Sequence, residues 1–120
     1  MNSQPKILLI DKASDRKQRI NALKNRGYAV FPTLRMEEAH SRCLRGGYDL
    51  IVVNAAGEPE EAIRYCDEIR SQCPKQLVLM CSDGGSGRDY AIAADVPSVV
   101  NAVDAALNAK AMPADLASAA

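Results

Sequence analysis

Few side chains in this sequence offer chemistry, and they are scattered. Four cysteines stand at Cys43, Cys66, Cys73 and Cys81, the only histidine is His40, and the other candidates directly follow apolar runs: Asp11 and Lys12 after ILLI, Asn54 after LIVV, Ser82 beside Cys81. Thiols could pair or oxidise, which makes a redox switch one reading. Against it, Cys66 and Cys73 are seven residues apart on one expected helix, a separation of about 10 Å that a disulfide cannot bridge without unwinding. Reduced buried cysteines behave as small hydrophobes. A single histidine has no partner for a metal site, and its spacing with Met36, Ala39, Cys43 and Leu44 puts it on the inner side of a helix. The run Asp83-Gly84-Gly85-Ser86-Gly87 is glycine-rich but opens no obvious helix, so it reads as a turn and not as a phosphate cradle. There is no nucleophile and base pair, no CxxC and no phosphate-binding loop of the P-loop spacing. The chain is not expected to be an enzyme.

These residues depend for their placement on an alternation of apolar runs and helical patterns. Lys6 to Asp11, Tyr48 to Asn54 and Gln76 to Cys81 are short, continuously apolar segments of the kind buried on both faces of a parallel sheet. Tyr28 to Thr33 reads as a further strand, held to a sheet edge by Pro32, which has no N–H for a ladder. Tyr90 to Ala93 is a weaker fifth candidate. Ser14 is the expected cap of a helix over 15–26 that buries Ile20, Ala22 and Leu23 and stops at Gly27. Arg16, Lys17, Arg19, Lys24 and Arg26 fall on its other side, which reads as a solvated face. Further helices are expected over 35–45, from Pro59 with Ile63, Cys66, Ile69 and Cys73 inward, and after an Asp95 cap with Val96, Val99, Val100, Val103 and Leu107 inward.

Strand and helix in this order give an α/β fold with an open, mostly parallel sheet, whose site lies at the strand C-terminal ends. Asp11, Lys12, Asn54, Cys81, Ser82 and Ala93 fall there.

The chain has 120 residues, 48% of them hydrophobic, with 15 basic and 15 acidic side chains. That describes one compact domain, taken as residues 1–110 with a frayed tail over 111–120. No apolar run approaches the ~20 residues of a membrane helix, and the N-terminal MNSQPK has no signal character. The expected location is the cytoplasm, with reduced thiols. Neutrality argues against nucleic-acid binding by the chain itself. Charge is nevertheless uneven: residues 1–50 carry 10 basic and 5 acidic groups, and the remainder the reverse. Such polarity can steer a partner.

The segments ILLID at 7–11, MEEAHSRCLRGGYDLIVVN at 36–54 and DVPSVVNAVDAAL at 95–107 resemble a response-regulator receiver domain of two-component signalling, over residues 5 to about 108. The resemblance implies a flavodoxin-like, five-stranded sheet in order 2-1-3-4-5 and phosphorylation of an aspartate at the end of the third strand. Here that position is Asn54. The family holds magnesium with two adjacent acids after the first strand, and only Asp11 matches because Lys12 takes the second place. Ser82 or Cys81 matches the phosphoryl-sensing hydroxyl, Tyr90 the switch aromatic, and Ala93, or Ile92 in the one other register, falls where a lysine belongs. An amide cannot form an acyl phosphate as a carboxylate can, and no magnesium, other metal or cofactor is expected. Lys12 would stand in the cation's place, bonding Asp11 or the Asn54 carbonyl oxygen.

The family's crossover helix between strands four and five is missing or much shortened, since only Asp83 to Arg88 separates the two. A parallel crossover is expected to need ~10 to 12 residues. Three outcomes follow: an antiparallel hairpin, no fifth strand, or pairing of the C-terminal segment with another copy's sheet. The functional expectation is a phosphorylation-independent pseudo-receiver that binds a signalling protein or, through this altered region, a second copy of itself. The alternatives are the thiol switch and a small-ligand site lined by Asp11, Lys12, Asn54 and Ser82.

Overall fold

The computed structural model describes residues 4–35, 37–38, 41, 46–55, 59–82 and 91–111. Five strands, β1 (Lys6–Ile10), β2 (Ala29–Thr33), β3 (Leu50–Asn54), β4 (Val78–Ser82) and β5 (Ala91–Ala93), form one sheet in the order β2-β1-β3-β4-β5. Every neighbouring pair is parallel. The helices α1 (Arg16–Asn25), α2 (Pro59–Gln72) and α3 (Val96–Ala111) cover it. Glu37, Glu38 and Ser41 are also helical, within the helix expected over 35–45. The expected inward residues Met36, Ala39, His40, Cys43 and Leu44 lie outside the described residues, as do the DGGSG run, Tyr90 and the tail from 112 onward.

The continuously apolar runs become β1 and β3 because a strand in the middle of a parallel sheet meets a helix layer on each side. Ile7, Leu9, Leu50, Val52 and Cys81 pack on one face against Leu23 of α1 and Val99 and Val103 of α3. Leu8, Ile10, Ile51, Val53 and Met80 pack on the other against Ala62, Tyr65, Cys66 and Ile69 of α2. Pro32 sits on β2, an edge strand as its missing N–H requires. Ile63 and Cys73 are half-buried against the second core, consistent with the spacing that placed them inward.

Three expectations need correction. Asp15, not Ser14, occupies the N-cap of α1, and its side chain makes no capping bond; its carboxylate is engaged by Arg19 instead. Arg19 itself leaves the solvated face and is 1% exposed, whereas Ile20 and Ala22 are only half-buried. Finally, β5 is a parallel strand of its own chain's sheet, paired Met80↔Ala91 through Ser82↔Ala93. Neither the antiparallel hairpin nor the absence of a fifth strand holds. The short connection suffices because β5 has three residues, so the chain must return only the rise of two, ~7 Å. Eight residues, 83–90, lie between β4 and β5, and such a segment can reach more than ~25 Å.

Candidate functional site

The C-terminal ends of β1 and β3 bring Asp11 and Asn54 together. Asp11 directly follows β1, fixed by its own N–H donating to the Thr33 carbonyl at 3.1 Å. It is 2% exposed and Asn54 3%. Nδ2 of Asn54 donates to Oδ1 of Asp11 at 3.0 Å, and the backbone N–H of Ala13 donates to the same oxygen at 3.0 Å.

The main occupant of this carboxylate is Arg19. Its Nε donates to Asp11 Oδ2 at 2.6 Å and its Nη2 to Asp11 Oδ1 at 3.2 Å. The guanidinium also donates to both oxygens of Asp15, from Nη2 at 2.6 Å and from Nη1 at 3.0 Å. A last bond runs from Nη1 to the Ala94 carbonyl at 3.0 Å, just beyond β5. These five bonds match the five N–H donors of a guanidinium. Burial opposes the charge on Arg19, but the hydrogen bonds it donates to Asp11 and Asp15 and their negative charges outweigh it, so the group is held more firmly protonated than an ordinary arginine. The bond to Arg19, reinforced by its charge, holds the Asp15 carboxyl below the usual range.

Several sequence-derived residues stand around this centre without joining it. Lys12 is exposed, and the cation seated on Asp11 is Arg19, which corrects the expectation that Lys12 would take that place. Cys81 is buried in β4, in register with Asn54, and its carbonyl accepts from the N–H of Ala55 at 2.8 Å. Ser82 is half-buried and in register with Ala93, which is exposed. Ala93 therefore leaves β5 without a cation at this end, as its residue type implied, while its neighbour Ala94 meets the guanidinium. Arg19, Asp15 and the Ala94 carbonyl were absent from the sequence-derived site. A signal existed for two of them: Asp15 and Arg19 are spaced i, i+4, and Arg19 lies one turn before the buried Leu23.

The described residues of this centre do not fit a magnesium ion. That ion requires several hard oxygen ligands in near-octahedral array, whereas Asp11 faces an amide and a resident guanidinium. Among the described residues, no group of three or more His, Cys, Asp or Glu side chains could hold a metal.

A separate cavity of about 330 Å³ is lined by Ile63, Cys66, Asp67, Arg70 and Met80, on the α2 side of the sheet and away from Asp11 and Asn54. Burial pushes the Cys66 thiol in its wall up to about 11, so little reactive thiolate is present near neutrality. Cys81 is buried and Cys73 half-buried.

No protein-family model matches the sequence, and no curated protein matches it significantly. The fold does have solved counterparts. The chain is similar to a response regulator from Thermotoga maritima, with a TM-score of 0.71 at 20% identity over 88% of this chain and 99% of that one. It is also similar to an orphan response regulator of H. pylori, with a TM-score of 0.70 at 23% identity over 86% and 96% of the two chains.

Proposed function

We propose that this receiver-like fold serves as a pseudo-receiver, a protein-interaction module of two-component-type signalling that is not switched by aspartyl phosphate and catalyses no reaction. The observation that carries the reading is the seating of Arg19 on Asp11. A receiver site must gather negative charge to hold a cation and then a phosphoryl group. Here the buried carboxylate of Asp11 is neutralised by a side chain of the chain itself, and the acceptor position is an amide. The likeness to response regulators supports the fold side of this reading. No helix among the described residues is long and apolar enough to cross a membrane, and we place the module in the cytoplasm. The partner is a signalling protein, with a second copy of the chain as the alternative.

The test is an amide NMR titration of the chain with magnesium and beryllofluoride, a phosphoryl mimic, alongside its solution mass. We expect no shifts at Asp11, Asn54, Ser82 or Tyr90. Clustered shifts there would overturn phosphate independence, and the mass distinguishes a self-associating module from one that awaits another protein.

A further inference from the structure

We infer that Arg19 couples the Asp11–Asn54 centre at the strand ends to the start of α3, so that the state of one sets the stability of the other. The guanidinium joins three separate pieces of backbone: the end of β1 through Asp11, the start of α1 through Asp15, and the junction of β5 and α3 through the Ala94 carbonyl. Both Arg19 and Ala94 are buried, at 1% and 2% exposure. Water therefore cannot readily replace the Arg19 bond to that carbonyl, and losing it leaves a buried polar group unpaired.

Immediately after Ala94 the chain enters α3 through a short cap. Asp95 Oδ2 accepts from the Ser98 N–H at 3.1 Å and from the Ser98 hydroxyl at 2.9 Å, and the Val99 N–H donates to the Asp95 carbonyl at 3.1 Å. A displacement of Ala94 therefore moves the cap, and loosening the cap frees Ala94 to leave Arg19. Since thermodynamic coupling is reciprocal, a partner that grips the β5–α3 corner alters the Asp11–Asn54 centre through this one side chain. The inference goes beyond the proposed function and does not depend on the identity of a partner.

Native-state hydrogen exchange on the isotope-labelled chain tests it from both ends, with the Ile51 amide in the central strand β3 as reference. Asp95→Ala removes the two bonds from Ser98 at an exposed position. It is expected to speed exchange of the Arg19 Nε–H about tenfold relative to Ile51. Arg19→Lys keeps a cation for Asp11 but not the five-armed hold, and is expected to speed the Val99 amide by a similar factor. An unchanged reporter in either arm, or equal acceleration at Ile51, overturns the coupling. Should Arg19→Lys fail to fold, Asp15→Asn, which loosens the guanidinium from its exposed side, takes its place under the same criteria.

Discussion

Two polar clusters hold the α1 side of the molecule to α3, and they solve the same problem in opposite ways. At the strand ends, Arg19 is buried and gives all its donors to Asp11, Asp15 and Ala94. Toward the far end of α1, Asp104 of α3 accepts from the Arg26 guanidinium and the Tyr28 hydroxyl, with Arg26 half-exposed. The first cluster is costly to assemble and costly to break, because a buried charge must keep its counter-charge. The second borrows solvation from water and is worth correspondingly less. What differs is the consequence of losing one member, not the number of bonds.

The largest effect is expected from Arg19→Met. It leaves Asp11 buried without a counter-ion and should cost ~3–5 kcal/mol in urea unfolding, well above any single change at Asp104. A double variant, Arg19→Met with Asp11→Leu, should recover part of that loss; no recovery would mean that packing rather than charge pairing explains the effect. Asn54→Asp is expected next in size, ~1–3 kcal/mol, since it replaces a donor to Asp11 with a second carboxylate. It should also take up no phosphoryl group from acetyl phosphate, because Lys12 and Arg19 remain and β5 offers no lysine. At least Lys12→Asp must be added. Mass spectrometry of the single variant decides the matter, and a gain of one phosphoryl would refute the assignment of Arg19 as the resident cation.

Tyr28→Phe, at the other cluster, should cost only ~1 kcal/mol, and it reports on pH as well. Burial, aided by Asp104, pushes the Tyr28 phenol up to about 12 from 10.0. The folded state thus favours the protonated phenol, and its contribution is complete below pH 10 and lost as the pH rises toward 12. The acid side has the opposite sign. Burial alone would raise the Asp104 carboxyl, but Tyr28 and Arg26 outweigh it and hold the group below its ordinary 3.8. That contribution is present above this value and disappears as the pH falls beneath it. Thermal unfolding against pH should show the alkaline loss in the wild type and not in Tyr28→Phe; equal alkaline slopes would remove Tyr28 from the account.

Much of the sheet was legible because burial on both faces leaves a plain mark: ILLI and LIVV contain no polar residue, and Pro32 can stand only at an edge. The end of β3 likewise put Asn54 at the site. Arg19 was not legible in the same way. Among Arg16, Lys17, Lys24 and Arg26 it looked like one more solvated cation, and only its place one turn before Leu23, four residues after Asp15, distinguishes it. Hydrophobic periodicity treats a buried arginine as noise, since its burial is licensed by Asp11, Asp15 and the Ala94 carbonyl, polar partners that a pattern of apolar residues does not register. The direction of β5 escaped for a different reason. Crossover lengths are drawn from full-length strands, and a three-residue strand needs a much shorter return.

Pro32 has a consequence beyond the order of the strands. The N–H of Ala29 and the carbonyl of Thr33 point inward to the β1 side, so in a parallel ladder the alternate residues Val30 and Pro32 turn their backbone groups outward. The free margin of the sheet therefore lacks an N–H at one of those two positions. A strand from another molecule aligning there would meet a gap in its hydrogen bonding, beside exposed Phe31 and Leu34 that would otherwise invite it. The proline thus acts as a guard against edge-to-edge aggregation, and a chain with Pro32→Val should lose solubility at high concentration well before it loses its fold.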